Sequence, residues 1–406
     1  MRSPMKNQLS RTEFVALMAM LFATIAFSID AMLPALPEIG KELSPDNLNR
    51  AQLILTSFVV GMGIGTFVTG PLSDTFGRKP IIILGAAMYI LGALLAWKAP
   101  TLELVLVARV IQGLGAAGPR IVGIAIIRDL YEGREMARLM SFVMLVFSII
   151  PALAPSLGAV IINYTGWRGI FPAFILFSLL GVIWLGLRQP ETLPVAQRRP
   201  FKIAPMLAAI REMFANHMVL ISIAVQTFIF ASLFAMLSSV QQIFDVTFGR
   251  GESFPLWFMG IALVAATASI VNAALVVRIG MRKMVTYALA AQVLISGSVI
   301  ILELIAPNDT LRFAVFVVWQ TSMFFMMGLT LGNLNAMAME PLGHIAGMVA
   351  SMMAGIATVA AMVFAVPIGL AFDGTVLPLA YGIVTMVILG LGLMVWLARI
   401  EKRELV

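Results

Sequence analysis

Residues Thr101–Arg128 read TLELVLVARVIQGLGAAGPRIVGIAIIR, an apolar run long enough to cross a bilayer that nevertheless carries two arginines in its interior. Arg109 and Arg120 are eleven positions apart, and at ~100° per residue they fall only about 20° apart around a helix. Gln112 and Ala116 lie in the same sector, with Gly113 close beside it. An arginine at the bilayer centre costs at least ~2.5–3.5 kcal/mol on the more generous insertion scale, so this face must meet protein or water rather than lipid. The alternative is that the arginines snorkel to the two interfaces, a reading that suits Arg109 less than Arg120 because about eight residues separate Arg109 from Thr101.

Composition places the rest of the chain in the same setting. With 61% hydrophobic residues, 12% charged residues and a mean hydropathy of +1.00, the sequence is incompatible with a soluble globular class. Its 33 glycines and 20 prolines are frequencies that membrane helices tolerate. There is no cysteine, which excludes disulfides, thiol nucleophiles and thiolate metal sites. His217 and His344, far apart in sequence, do not suggest a metal centre, and no cofactor is expected. Arg2, Lys6 and Arg11 ahead of an apolar run resemble a signal peptide. The run is too long for one and reads as an uncleaved first helix.

Apolar runs of about 20 residues predict an all-α integral membrane protein of twelve transmembrane helices. The predicted spans are 13–36, 51–71, 80–98, 102–127, 137–163, 168–187, 216–242, 254–277, 284–305, 311–334, 345–371 and 376–398. Residues 1–187 then form one six-helix bundle, 188–215 a linker loop and 216–406 a second bundle. An even number of spans puts both termini on one side. The amino-terminal cations fall there with Arg78 and Lys79, Arg128 to Arg138, Arg188 to Arg211, Arg278 to Lys283, and Arg399 to Arg403. Only Lys41, Arg50, Lys98, Arg168, Arg250 and Arg312 fall opposite. The positive-inside rule therefore makes both termini cytoplasmic and accounts for the net charge of +7 without nucleic acid. A faint repeat, GPLSDTFGRKP at 70–80 and AALVVRIGMRK at 273–283, supports two related halves with a site at their interface, an architecture of secondary transporters.

Chemistry concentrates at a few positions. Asp30, in FSIDAMLPALPEIG, lies seven residues before Pro37, about 10 Å below the outer end at 1.5 Å rise per residue. Arg109 lies ~12 Å below the same surface by the same arithmetic. Matching depths predict that the two charges face one cavity, which Met32 also lines. There Asp30 could be protonated in one conformation and ionised in another. At 70–80, Gly70 and Gly77 are expected to permit tight turns and close helix approach, with Asp74 meeting helix amino termini or arginines across the cytoplasmic surface and Arg78 and Lys79 anchoring at the headgroups. In SIIPALAPSLGAV, Pro151 and Pro155 should bend the fifth helix and Gly158 should allow close packing. In the second half Gln226, Asn333 and Asn335 are candidate cavity residues, as are Phe230 and Phe234 among an adaptable set of Phe and Met side chains.

At these residues the chain resembles the major facilitator superfamily, and within it the twelve-helix drug:proton antiporters of the Bcr/CflA branch. GPLSDTFGRK is similar to that superfamily's signature between helices two and three, and RVIQGLGAAG to its fourth-helix signature. IDAMLPALP, RDLYEGREMARLM and NAMAMEPLGHIAG are similar to the branch. The resemblance implies that Asp30 is the protonatable residue and Arg109 its partner. It likewise implies that Gly70, Asp74, Gly77 and Arg78, together with Pro155 and Gly158, form a conformational gate. The fifth-helix antiporter signature departs in having Ala154 before Pro155 and Ala159 after Gly158. Arg120 is an extra cation outside the superfamily pattern, and beside a cavity it would favour neutral or anionic compounds over cationic ones.

The expected function is proton-coupled efflux of small amphipathic drugs across the bacterial cytoplasmic membrane, by a monomer and without catalysis. The alternative is a proton-coupled transporter of an endogenous metabolite. No GxxxxGK[ST] motif is present, so the energy would come from an ion gradient. A polytopic enzyme would need a cluster of His, Asp or Glu at one membrane face, and the sequence offers none.

Overall fold

The computed structural model describes residues 9–305 and 308–404, so Arg2 and Lys6 of the topology reading lie outside the described residues. Among the described residues there is no strand, and twelve helical segments are long and apolar enough to cross a membrane. They are Arg11–Leu43, Leu48–Phe76, Arg78–Lys98, Leu102–Leu130, Gly133–Thr165, Trp167–Arg188, His217–Thr247, Gly251–Ile279, Met281–Ile305, Asp309–Met339, Gly343–Leu370 and Leu377–Ile400. In hydrocarbon every backbone N–H and C=O must be satisfied within the chain, and a helix does this segment by segment. Several spans begin on polar caps. The side chains of Ser10, Thr101, Asn216 and Asn308 accept hydrogen bonds from the amides of Glu13, Leu104, Val219 and Leu311, taking up donors the first turn leaves free.

Several boundaries differ from the sequence reading for local reasons. The first span is α-helical only to Asp30. It continues through a 3₁₀ turn at Leu33–Ala35 into a short helix, Leu36–Leu43, with Pro37 in its first turn. The second span passes through Pro71 and stays helical to Phe76, so 70–80 is not an open loop. The turn there is a single residue, Gly77, at φ 106°, a conformation L side chains rarely adopt. Gly70, expected in a turn, lies inside the helix, and a methyl group there would meet only the Ile121 side chain at 3.9 Å. Gly280, at φ 87°, makes the same one-residue break between the eighth and ninth spans, so the faint repeat has a geometric counterpart. The linker carries a helix of its own, Ile203–Ala215.

The chain folds as two compact units. The first comprises residues 1–32 and 57–201, the second residues 33–56 and 202–406. In the first, glycines let the fourth span approach its neighbours backbone to backbone. A methyl group on Gly113 would overlap the Phe58 carbonyl, one on Gly61 the Val110 carbonyl, and one on Gly115 the Gly85 carbonyl. Phe14, Leu17, Met18 and Phe22 of the first span meet Ile82, Val122, Ile126, Val143 and Leu185 in a dry core.

The second unit is built differently. Phe244 contacts Phe254, Phe313 and Phe316 edge-on at 5.3–5.8 Å between ring centroids, the geometry aromatic pairs prefer. Residues 33–56 are held in this unit by amides. Asn49 Nδ2 donates to the carbonyls of Leu370 (3.1 Å) and Phe372 (2.7 Å), and Gln242 Nε2 donates to Asn49 Oδ1 (3.3 Å). Gln52 Nε2 donates to Gln242 Oε1. Gly369 leaves room for the Gln52 side chain, which a methyl group there would overlap.

Candidate functional site

The break in the first span sets up the site. A helix leaves its last carbonyls without intrahelical partners, and here those carbonyls end at Asp30 in the interior of a span. Arg109, fully buried on the fourth span, supplies the missing donor: its Nη2 donates to the Ser28 carbonyl at 3.0 Å. A guanidinium there also meets the negative end of the helix dipole. Its Nη1 donates to Gln112 Oε1 at 2.8 Å, one turn along the same span. The guanidinium carbon lies 4.4 Å from the centre of the Phe58 ring and 5.9 Å from that of Phe174, so the cation is enclosed by π faces as well as oxygens. The Ser28 hydroxyl hydrogen-bonds the Tyr89 hydroxyl of the third span and donates to the Thr24 carbonyl at 2.6 Å.

Asp30 is 6% exposed, and among the described residues its carboxyl makes no hydrogen bond or ion pair. The sequence reading placed Asp30 and Arg109 at one depth. The structure joins them through the backbone, because Arg109 binds the carbonyl two residues before the carboxyl rather than the carboxyl itself. An unpaired carboxyl can gain or lose a proton without breaking a hydrogen bond. Gly158 of the fifth span faces this break so closely that a methyl group would overlap the Ala31 carbonyl. Pro155 lies in the same continuous helix, and Met32 is fully buried.

Arg120 lies on the same helical face as Arg109 but is exposed, and among the described residues it makes no hydrogen bond or ion pair. The exposed apolar residues of this span, Leu104 and Val107, mark its lipid side. At ~100° per residue they point about 140–160° away from Arg120.

At the start of the third span a second constellation is centred on Arg78. Its Nε donates to Asp129 at 3.0 Å, and its Nη1 to Ser73 at 2.8 Å and to Asp74. Beside it, Glu191 accepts hydrogen bonds from the backbone amides of Arg78 (2.9 Å) and Lys79 (3.0 Å) and from Leu193 N (2.9 Å). A carboxylate on the first amides of a helix satisfies orphan donors and meets the positive end of its dipole. Thr192 donates to Asp129 at 3.0 Å, and Arg199 N to the Asp74 carbonyl at 3.0 Å. The segment read as the start of a plain polar linker is thus strapped to Asp74 and Arg78.

The remaining candidates belong to the second unit. Gln226 is buried, and among the described residues its Oε1 has no hydrogen-bond partner. Phe230 and Phe234 contact each other at 6.1 Å. Asn333 donates to Asn272 at 2.8 Å and to the Leu329 carbonyl, which makes it a tie between the tenth and eighth spans. Asn335 is half-buried, and among the described residues its Oδ1 has no hydrogen-bond partner. Sequence reasoning missed Ser28, Phe58, Tyr89 and Phe174 around Arg109, because aromatic and hydroxyl residues are common in membrane helices. It also missed Asp129 and Glu191 as partners of the third-span start, although RDLYEGRE and PETLP contain them.

Comparison with known proteins agrees with this architecture. The Major Facilitator Superfamily profile matches residues 16–365. A bicyclomycin resistance protein homolog of Haemophilus influenzae is 31% identical over 73% of this chain and 75% of its own length. Multidrug resistance protein MdtL of Escherichia coli is 30% identical over 66% of each chain. The crystal structure of a D-xylose-proton symporter superposes with a TM-score of 0.75 at 14% identity, over 94% of this chain and 97% of that one, a likeness of fold alone. With the profile spanning most of its twelve membrane helices, the chain belongs to the Major Facilitator Superfamily of membrane transporters.

Proposed function

We propose that the protein is a proton-coupled exporter of small amphipathic, drug-like molecules in the bacterial inner membrane, acting as a monomer with both termini cytoplasmic. Its two six-helix halves, 1–187 and 216–406, would alternate access to the substrate. The observation that carries this reading is the Asp30 carboxyl, buried and unpaired where the first span breaks, with Arg109 fixed two residues away on the Ser28 carbonyl. Protonation of Asp30 changes the charge beside a helix end whose position depends on that bond, so proton and conformation have a common point of action. The drug-resistance names of the two relatives support export. The Arg78 constellation, with Asp74, Asp129 and Glu191, would act as the gate on the cytoplasmic side.

The test is drug-triggered proton movement in inverted membrane vesicles, with a panel of antibiotics, for wild type and Asp30→Asn. Collapse of an imposed pH gradient by a drug in wild type and not in the variant supports antiport through Asp30. An unchanged response in Asp30→Asn removes Asp30 from the mechanism, and silence with every drug favours a metabolite as substrate.

A further inference from the structure

We infer that Arg120 is a recognition site for an acidic group on the transported molecule, so that substrates carrying a carboxylate, phenolate or sulfonate are preferred over their neutral counterparts. The inference rests on the transport reading above and adds a substrate class to it.

Arg120 lies ten residues before Leu130, where the fourth span ends, a depth of about 15 Å at 1.5 Å rise per residue. A guanidinium at that depth stays charged, because arginine does not give up its proton in proteins. It therefore needs an acceptor, an aqueous space or both. Among the described residues it has no protein acceptor, and none of its five donors is used. It is accessible, and its exposure is on the side of the helix opposite to Leu104 and Val107, so what it meets is not the lipid.

Arg109, on the same face, provides the contrast. Its guanidinium is held by Ser28, Gln112 and two aromatic rings, so it has a built-in role in the fold. Among the described residues Arg120 makes no such contact. Arg120 is therefore a charge on this face without a protein partner among the described residues, and its planar fork matches a carboxylate or sulfonate in two-point contact. Asp30 offers no internal neutralisation, since it pairs with neither arginine.

The experiment uses the full-length protein in inverted vesicles and matched fluorescent probes, a carboxylic acid and its methyl ester. Arg120→Gln and Arg120→Lys are compared with wild type, with detergent melting to confirm that each variant is folded. Wild type should transport the acid in preference to the ester. Arg120→Gln should lose roughly tenfold or more of the acid flux and leave ester flux within about twofold, while Arg120→Lys, which keeps the charge but not the fork, should keep ester flux and lose part of the acid flux. An acid-to-ester ratio unchanged in Arg120→Gln overturns the inference while leaving the exporter reading in place. Binding of the acid probe to purified protein by calorimetry separates the remaining case. If no probe is transported but Arg120→Gln abolishes acid binding, the anion site stands and export of these compounds falls. If wild type neither transports nor binds the acid preferentially, the anion site falls.

Discussion

Arg109 Nη2 stands 3.0 Å from the carbonyl oxygen of Ser28, across 81 residues of sequence, and by that bond a buried cation closes the end of a helix that stops inside a membrane span. The same bond fixes the backbone from which Asp30 projects two residues later. The end of this helix and the proposed coupling at Asp30 thus share one guanidinium.

Arg109→Met should leave the Ser28 carbonyl without this donor and remove one from Gln112 Oε1. An orphaned buried acceptor costs about 1–3 kcal/mol, so the melting temperature in detergent should fall by several degrees and transport should be lost. Arg109→Lys retains charge but not the two-point fork, and should recover part of the stability with at least a tenfold loss of flux. Full transport by the lysine variant would show that the fork geometry is dispensable.

Glu191 holds three amides, two of them at the first turn of the third span. Glu191→Gln turns an acceptor into a donor against one of those amides and should destabilise the strap by about 1–2 kcal/mol, the range of a lost helix cap. The direct readout is trypsin cleavage after Arg198 in right-side-out and inverted vesicles, expected to accelerate several-fold in the variant. Identical cleavage rates would mean that Glu191 does not restrain the segment.

Asn49, Gln52 and Gln242 tie residues 33–56 into the second unit. The protein has no cysteine, so Gln52→Cys/Gln242→Cys introduces the only thiols. A short thiol-specific cross-linker should arrest transport by tenfold or more in the double variant and in neither single variant, with recovery on reduction. Undiminished flux in the fully cross-linked protein would show that these amides need not part during the cycle.

Much of this was readable beforehand because hydrocarbon permits so few structures. Runs of about 20 apolar residues could only be helices, and charges inside them had to face protein or water. Arg109, Gln112 and Asp30 stood out for that reason, and matching depth brought the correct pair of spans together. What was not legible depended on single backbone positions. Pro71 reads as a breaker, yet the helix runs through it to Phe76, and the turn is made by Gly77 alone. That Arg109 would take the Ser28 carbonyl rather than the Asp30 carboxylate could not be read from charge, since the acceptor is a main-chain group exposed by the end of the α-helix at Asp30. Glu191 was hidden for the opposite reason. A carboxylate in a polar linker has no distinguishing context until the amides it covers are known.

The glycine packing of the first unit also bears on how this protein can change over generations. Gly61, Gly85, Gly113 and Gly115 stand where even an alanine would collide with a neighbouring main chain, whereas Gly260, Gly297, Gly332 and Gly392 have no atom within 4 Å of an added methyl. The second, third and fourth spans are thereby locked together at positions that cannot drift one at a time. Adaptation to a new compound must come from side chains that project away from those close approaches, and a saturation map of the gene would show two classes of glycine where composition shows one.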